Sequence, residues 1–415
     1  VSERCVRLKY LTTRASGDAV AETVGEFISL DSVESWTGKR LSVAEAYRDF
    51  SGTPCRQGDI LFGKLRPYLA KVHFVGTDAV CASEFIAMRP TKEAEPRFLR
   101  YVLSTGGFVR LVNSMSYGTK MPRVDPADFL DIKIAVPNPA KQSRIADYLD
   151  SETARIDTLI DRKQRFIDLL LEKRTALITH AVTKGLDPHV EMKDSGIDFI
   201  GEVPAHWQVA PLYARYEVTL GKMLDAKQIT GEHLAPYLRN ADVQWDYVNT
   251  GDLDQMDFDA SARLKFRLRV GDLLVCEGGE VGRTAMWRGE LEECYYQKAV
   301  HRLRPWSSVR DVPRFFYYTM LASAMGERFT VGSNVATIGH LTAAQLRHHR
   351  FAFPSSPEQA TIVDFLDSET DKLDVIVERT RQSIDLLREY RTALISAAVT
   401  GLIDIPEGND TEDVA

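Results

Sequence analysis

The chain has 415 residues, 44% of them hydrophobic, and a formal net charge of −7. It is a globular composition, too long for one ordinary core of roughly 150 residues. No uninterrupted apolar stretch approaches the roughly 20 residues that cross a bilayer, and the amino end VSERCVRLKY carries charges where a signal peptide has its apolar core. A cytoplasmic protein without membrane contact is expected. Cys5, Cys55, Cys81, Cys276 and Cys294 are scattered with no C-x-x-C pair, which supports neither a disulfide framework nor a zinc ribbon and predicts free thiols.

Residues 1–136 form a first variable block, at about +3 on a segment count. It carries Gly58-Asp59-Ile60-Leu61-Phe62, a turn entering a buried strand, then a helix start at Pro96, a polar loop SYGTKMPRV and a final strand. Residues 137–184 follow as a long helix and 185–204 as a linker. The second block, 205–353, at about +1, repeats the outline with Gly271-Asp272-Leu273-Leu274-Val275, a helix start at Pro313, the loop VGSNVATIGHL and a last strand. A second long helix, 354–400, and an acidic, flexible tail, 401–415, carry about −4 and −5. The acid therefore sits away from the two blocks.

The segment PNPAKQSRIADYLDSETARIDTLIDRKQRFIDLLLEKRTALITHAVT (137–183) returns without a gap as PSSPEQATIVDFLDSETDKLDVIVERTRQSIDLLREYRTALISAAVT (354–400). Such a repeat marks a duplicated unit, a variable block followed by a helix. Helical spacing gives a seam of Leu149, Ile156, Ile160, Ile167, Leu170 and Leu177, matched by Leu366, Leu373, Val377, Ile384, Leu387 and Leu394. Polar positions interrupt both seams at the same places: Thr153, Lys163 and Arg174 in one, Thr370, Thr380 and Arg391 in the other. Asn138-Pro139 and Ser356-Pro357-Glu358-Gln359 supply capping residues, a first-turn proline and, in the second copy, a capping Gln. Gly185 and Gly401 are the stops. The Asp-Ser-Glu-Thr runs at 150–153 and 367–370 leave open one helix per copy, or a short helix and a long one of about 30 residues, roughly 45 Å. The fold class expected is α+β: two mixed α/β domains separated by two long antiparallel coiled-coil helices, a pseudo-two-fold internal repeat with the blocks at opposite ends.

Paired helices that must fit each other stay alike, whereas surfaces that read two different targets must differ. For DNA, base edges call for Arg, Lys, Asn, Gln, Ser and Thr, and the backbone mostly for Lys and Arg. The candidates in the first block are Lys64, Arg66, Tyr68 and Lys71 in GKLRPYLAKV, with Tyr117, Thr119, Lys120 and Arg123 in the polar loop. In the second they are Arg239, Asn240, Gln244, Arg283, Ser333, Asn334, Thr337 and His340.

The glycine cluster Glu277-Gly278-Gly279-Glu280-Val281-Gly282 has the wrong spacing for a dinucleotide site and reads as a turn. The chain has no Pro-Pro, which an adenine methyltransferase tetrapeptide would need. Asp131-Ile132-Lys133 after Asp125 is a weak nuclease foothold, replaced in the second copy by His348-His349-Arg350, which reads as surface rather than metal-binding. No catalytic or metal residue is assigned.

The phrases GDLLVCEGGEVGRTAMW and SGIDFIGEVPAHW, with the repeated Q-x-x-I-x-D-x-L-D-S-E-T and R-T-A-L-I-x-x-A-V-T, resemble the specificity subunit of type I restriction-modification systems over essentially the whole chain. The first block departs from the pattern, since it begins with SERCVRLKYL, matching the part after His206-Trp207. The resemblance implies two target-recognition domains, each reading one half of an asymmetric bipartite site in double-stranded DNA. It implies that the helices set the unread gap and dock two methyltransferase subunits, with restriction subunits joining them. S-adenosylmethionine, ATP and Mg are then expected only through those partners, with no cofactor in this chain. The rival readings are a coiled-coil scaffold joining two protein-binding domains, and a self-sufficient nuclease.

Overall fold

The computed structural model describes residues 4–20, 26–41, 50–223, 230–329 and 340–405. The chain divides into two compact units, Val1–Arg165 with Thr380–Ala415, and Phe166–Arg379. Each unit holds one variable block, the first half of one spacer helix and the second half of the other.

The spacer helices are Pro139–Lys184 and Ser356–Val399, 46 and 44 residues long, or roughly 69 and 66 Å at 1.5 Å per residue. The Asp-Ser-Glu-Thr runs do not interrupt them. Thr153 and Thr370 turn their hydroxyls onto the Leu149 and Leu366 carbonyls, at 2.6 and 2.7 Å, so groups that compete with a helix elsewhere are absorbed within this one. Asn138 caps the first helix by accepting from the Lys141 amide at 2.9 Å. Gly185 and Gly401, at φ +77° and +70°, follow the last turns in the left-handed conformation.

Within the first unit the two helix halves run antiparallel. Leu149 and Ile156 are buried with Leu394, and Ile160 and Leu387 pack at the edge of the same core; Ile384 is buried as well. The polar seam position Arg391 meets Asp157 at 3.0 Å, their side chains only 10% and 13% exposed. Within the second unit Ile167, Leu170, Leu366, Leu373 and Val377 are buried and Leu177 half-buried. Here Arg174, the repeat equivalent of Arg391, lies 3.3 Å from Asp374, the equivalent of Asp157. The two residues thus exchange roles between the copies of the repeat.

Each block is built on a four-stranded antiparallel sheet. In the first unit the order is Thr12–Arg14, Phe85–Pro90, Ile60–Gly63, Val72–Phe74; in the second it is Tyr216–Leu220, Val300–Pro305, Leu273–Cys276, Thr284–Met286. The central strands are wholly buried and begin at the predicted Gly-Asp turns, with Gly58 and Gly271 at φ +88° and +90°. Asp59 and Asp272 close these turns on the Arg56 and Arg269 amides (2.9 and 2.8 Å) and also take the guanidinium groups of Arg89 and Arg304. A two-stranded ribbon ties each block's ends: Arg4–Arg7 pairs with Lys133–Val136, and Gln208–Pro211 with Arg350–Phe353.

The stretch read as a linker is folded, with Met192–Asp194 paired to Glu202–Pro204. Behind it Trp207 is fully buried, its indole N–H donating to Glu358 at 2.9 Å. All five cysteines are free, and all but Cys5 are buried.

Gln359 does not cap its own helix, contrary to the sequence expectation. Its amide is buried and donates to the Pro354 carbonyl at 2.9 Å and the Arg310 carbonyl at 3.2 Å, while its oxygen accepts from the Val312 amide at 2.8 Å. Gln142 does the same in the first unit, to the Pro137 and Glu93 carbonyls, 2.9 Å each, and from the Glu95 amide at 2.8 Å. The loop so held launches the Pro96–Ser104 or Pro313–Met325 helix. That helix returns Tyr101 and Arg97 to Asp150 (2.7 and 2.9 Å), or Tyr318 and Arg314 to Asp367 (2.5 and 2.8 Å).

Gln142→Ala leaves three part-buried main-chain groups without their side-chain partner and is expected to destabilise the protein by about 2–4 kcal/mol. Urea unfolding would measure it, and a loss under about 1 kcal/mol would contradict the assignment.

Candidate nucleic-acid interface

In the first unit the central strand runs out at Gly63 into the stretch 64–71. Lys64 donates its amide to Glu84 at 2.9 Å and accepts from the Val124 amide at 3.0 Å; Arg66 donates its amide to Pro122 at 2.7 Å. Tyr117 and Arg123 exchange both main-chain bonds, at 3.0 and 2.9 Å. Two stretches distant in sequence thus form one surface. Arg66 and Ala70, non-glycine residues at φ +50° and +49°, flank the turn Pro67–Leu69. Such backbone costs about 1–3 kcal/mol per residue and persists only where its surroundings fix it.

Seven of the eight candidates in this block meet there. Arg66, Tyr68, Tyr117, Thr119, Lys120 and Arg123 are exposed and Lys64 is half-buried, and neither stretch contains an Asp or Glu. Lys71 does not join them, because its ammonium donates to the Leu30 carbonyl at 2.6 Å. It ties the loop down. Sequence reasoning missed Trp36, 41% exposed at φ +66°, whose amide donates to Ala70 at 3.1 Å. The one available signal was a tryptophan set in the polar run ESWTGK.

The second unit repeats the frame. Glu277 leaves the central strand, donates its amide to Ala299 at 3.0 Å and accepts from the Leu341 amide at 2.8 Å. It occupies the station of Lys64. Of the next residues, Gly279 stands at φ +75°, in the left-handed region that favours glycine, and a Cβ on Gly278 would be tight against the His340 ring at 3.2 Å. Asn240 donates its side-chain amide to Gly278 O at 3.0 Å, and His340 is exposed. The cluster is a turn, as its spacing indicated.

Three candidates in this block bond within the fold. Arg239 is held by Asp242 and Asp254, 2.9 Å each, and donates to the Asp252 carbonyl; these carboxylates, Asp242 foremost, raise its pKa above the ordinary arginine value. Arg283 donates to the Asn240 carbonyl at 2.9 Å and Gln244 to that of Ala241 at 2.7 Å. All three guanidinium nitrogens of Arg239 are engaged, which leaves it little for a base edge, whereas Arg283 and Gln244 each commit one bond. Ser333, Asn334 and Thr337 lie outside the described residues. Missed by sequence reasoning were Glu277 itself and the exposed Lys298 beside Ala299.

His301 supports this surface from below. Fully buried, it donates from Nε2 to the Leu341 carbonyl at 2.7 Å, and Nδ1 has no partner among the described residues. Burial pushes its pKa below 6.5, against smaller opposing effects of the Leu341 bond and the Glu277 charge.

The acids behind the nuclease reading are engaged elsewhere: Asp131 pairs with Lys9 at 2.6 Å, and Asp125 caps a short helix through the Ala127 amide at 2.7 Å. Among the described residues no cluster of three or more His, Cys, Asp or Glu is placed to hold a metal ion, and no helix is long and apolar enough to cross a membrane.

The family model described as the type I restriction modification DNA specificity domain matches residues 40–165 and 216–385, once in each copy. The StySPI type I restriction enzyme specificity subunit of Salmonella potsdam is 23% identical over 76% of this chain and 67% of its own length. Among solved structures, a chain from a study of complex assembly and conformational transition of the type I R-M system is 20% identical at a TM-score of 0.69, covering 96% of this chain and 97% of that one. The HsdS subunit from Thermoanaerobacter tengcongensis is 19% identical at a TM-score of 0.55, covering 97% of both chains.

His301 gives this unit a pH dependence. The unfolded chain takes up the proton near the ordinary value of 6.5 while the folded one resists it, so stability is full above that pH, falls as pH drops below it, and levels once the lowered folded pKa is passed. His301→Gln keeps a donor for Leu341 without titrating. It should reduce the slope of unfolding free energy against pH by up to about 1.4 kcal/mol per pH unit below 6.5; an unchanged slope in denaturation series would refute it.

Proposed function

The chain belongs to the type I restriction-modification DNA specificity family, and we propose that each of its variable blocks reads one half of an asymmetric two-part site in double-stranded DNA. The observation that carries this reading is one frame bearing two unlike surfaces. Lys64 and Glu277 are fixed by the same pair of main-chain bonds, yet the stretches 64–71 and 117–123 around the first hold Lys, Arg, Tyr and Thr with no Asp or Glu, and the stretch after the second is a glycine turn between acids. Identical frames with different side chains suit a target whose halves differ.

The spacer helices set the unread gap and dock two methyltransferase subunits, with restriction subunits joining the assembly. Large apolar side chains left exposed on both helices support docking: Leu386 and Tyr390 in the first unit, 65% and 50% exposed, and Phe166 and Leu169 in the second, 46% and 62%. On this reading S-adenosylmethionine, ATP and Mg belong to the partners. The isolated chain then neither methylates nor cuts, and the assembled complex does both.

Selection from random duplex DNA, with and without the methyltransferase partner, tests the proposal. An enriched motif in two parts with a fixed gap is expected, and no enrichment in either arm would overturn it. Inserting one heptad at equivalent positions of both spacer helices adds roughly 10 Å and should widen the gap by about three base pairs. An unchanged gap would remove the helices from that role.

A further inference from the structure

We propose that Glu277 selects cytosine at one position of the half-site read by the second unit, through the exocyclic N4 amino group. The inference rests on the DNA-reading role above and goes beyond it by naming a residue and the base chemistry it answers.

The geometry starts from the shared station at the end of the central strand. Both main-chain groups of Glu277 are engaged, to Ala299 and Leu341, and Leu341 is in turn held by the buried His301. A side chain on such a rigid support keeps its direction, which base readout requires. Glu277 is half-buried, and among the described residues its carboxylate enters no ion pair or side-chain hydrogen bond, unlike Glu280, which accepts from the Trp245 indole at 2.5 Å. Gly278 follows it without a side chain, between His340 and the Asn240 amide. Among the described residues Glu277 therefore stands with the candidate contact residues, its acceptors uncommitted.

A carboxylate accepts only, and the phosphates repel it. Most major-groove edges repel it as well: guanine shows N7 and O6, thymine O4, and adenine sets the acceptor N7 next to its amino group. Cytosine alone presents a donor with no acceptor on its own major-groove edge. The exposed Lys298, next to the residue that holds the Glu277 amide, supplies a cation that offsets the phosphate repulsion locally. At the equivalent station of the first unit, Lys64 offers donors only and answers the acceptors of guanine. The opposite charges at one station make the two units ask for opposite edges of a base pair.

The test is selection of random duplex DNA by the complex of the full chain with its methyltransferase subunits, followed by sequencing of the bound pool. Wild type should require cytosine at one position of one half-site. Glu277→Gln should lower the preference there by roughly 10- to 100-fold and leave the other half-site untouched, and Glu277→Lys should turn the preference toward guanine. Lys64→Gln should relax one position in the opposite half alone. The proposal falls if both Glu277 variants return the wild-type motif, if the change appears in both halves, or if the altered position prefers another base in the wild type. Should Glu277→Lys abolish binding, Glu277→Gln decides on the same criterion. A wild-type pool with no two-part motif would instead overturn the DNA-reading role itself, so the two failures are distinguishable.

Discussion

The junction between each spacer helix and its block depends on one buried primary amide. Gln142 or Gln359 spends both amide N–H groups and its oxygen on main-chain groups, one just before its own helix and two in the loop before the block's helix. An apolar residue there would leave the same carbonyls and N–H without that partner in a part-buried site, at a cost of up to about 1–3 kcal/mol for each group. The amide fixes distance as well as affinity, because only one placement of the loop satisfies both ends of it. One helical turn or two further on, Asp150 or Asp367 receives the Tyr and Arg of the block's own helix. Orientation is thus set twice, by polar contacts that tolerate no slippage, over a core that by itself would.

The same economy appears in the seam. Leucine and isoleucine alone would let antiparallel helices slide by a heptad. Arg391 against Asp157, and Arg174 against Asp374, place one charge pair in each unit at positions exchanged between the copies. A slipped register would bury Arg391 and Asp157 apart from each other, and leaving one such charge alone costs about 3–5 kcal/mol. Register specificity, more than raw stability, is what polar groups at seam positions contribute.

The sequence made the repeated parts legible and the unrepeated parts hard. The spacer helices, their seam, the Gly-Asp turns and the proline helix starts all follow from spacing and local propensity, which act over a few residues. Gln359 was misread because three residues after a cap the local rule expects a capping side chain, whereas its partners at Arg310 and Val312 come from a loop distant in the chain. Arg239 and Arg283 have fold partners that the sequence did not show, for a related reason. An arginine in a polar loop looks available until the fold sets Asp254 or the Asn240 carbonyl against it. The loop candidates of the first block are brought together on one surface, and nothing acidic lies in either stretch to capture them. Lys71 was lost to a carbonyl, which no charge count detects.

This distribution of burdens explains how two surfaces on one frame can carry opposite charge. In both units the turn into the central strand is closed by an aspartate that also takes an arginine from the neighbouring strand, and the strand's exit is tied by two main-chain bonds. None of these uses the side chain at the exit station. Main-chain bonds are indifferent to what stands on the Cα, so lysine can be exchanged for glutamate there without loosening the sheet beneath. The frame is held by groups that every residue but proline possesses, which leaves the side chains at its rim to be determined by their target alone.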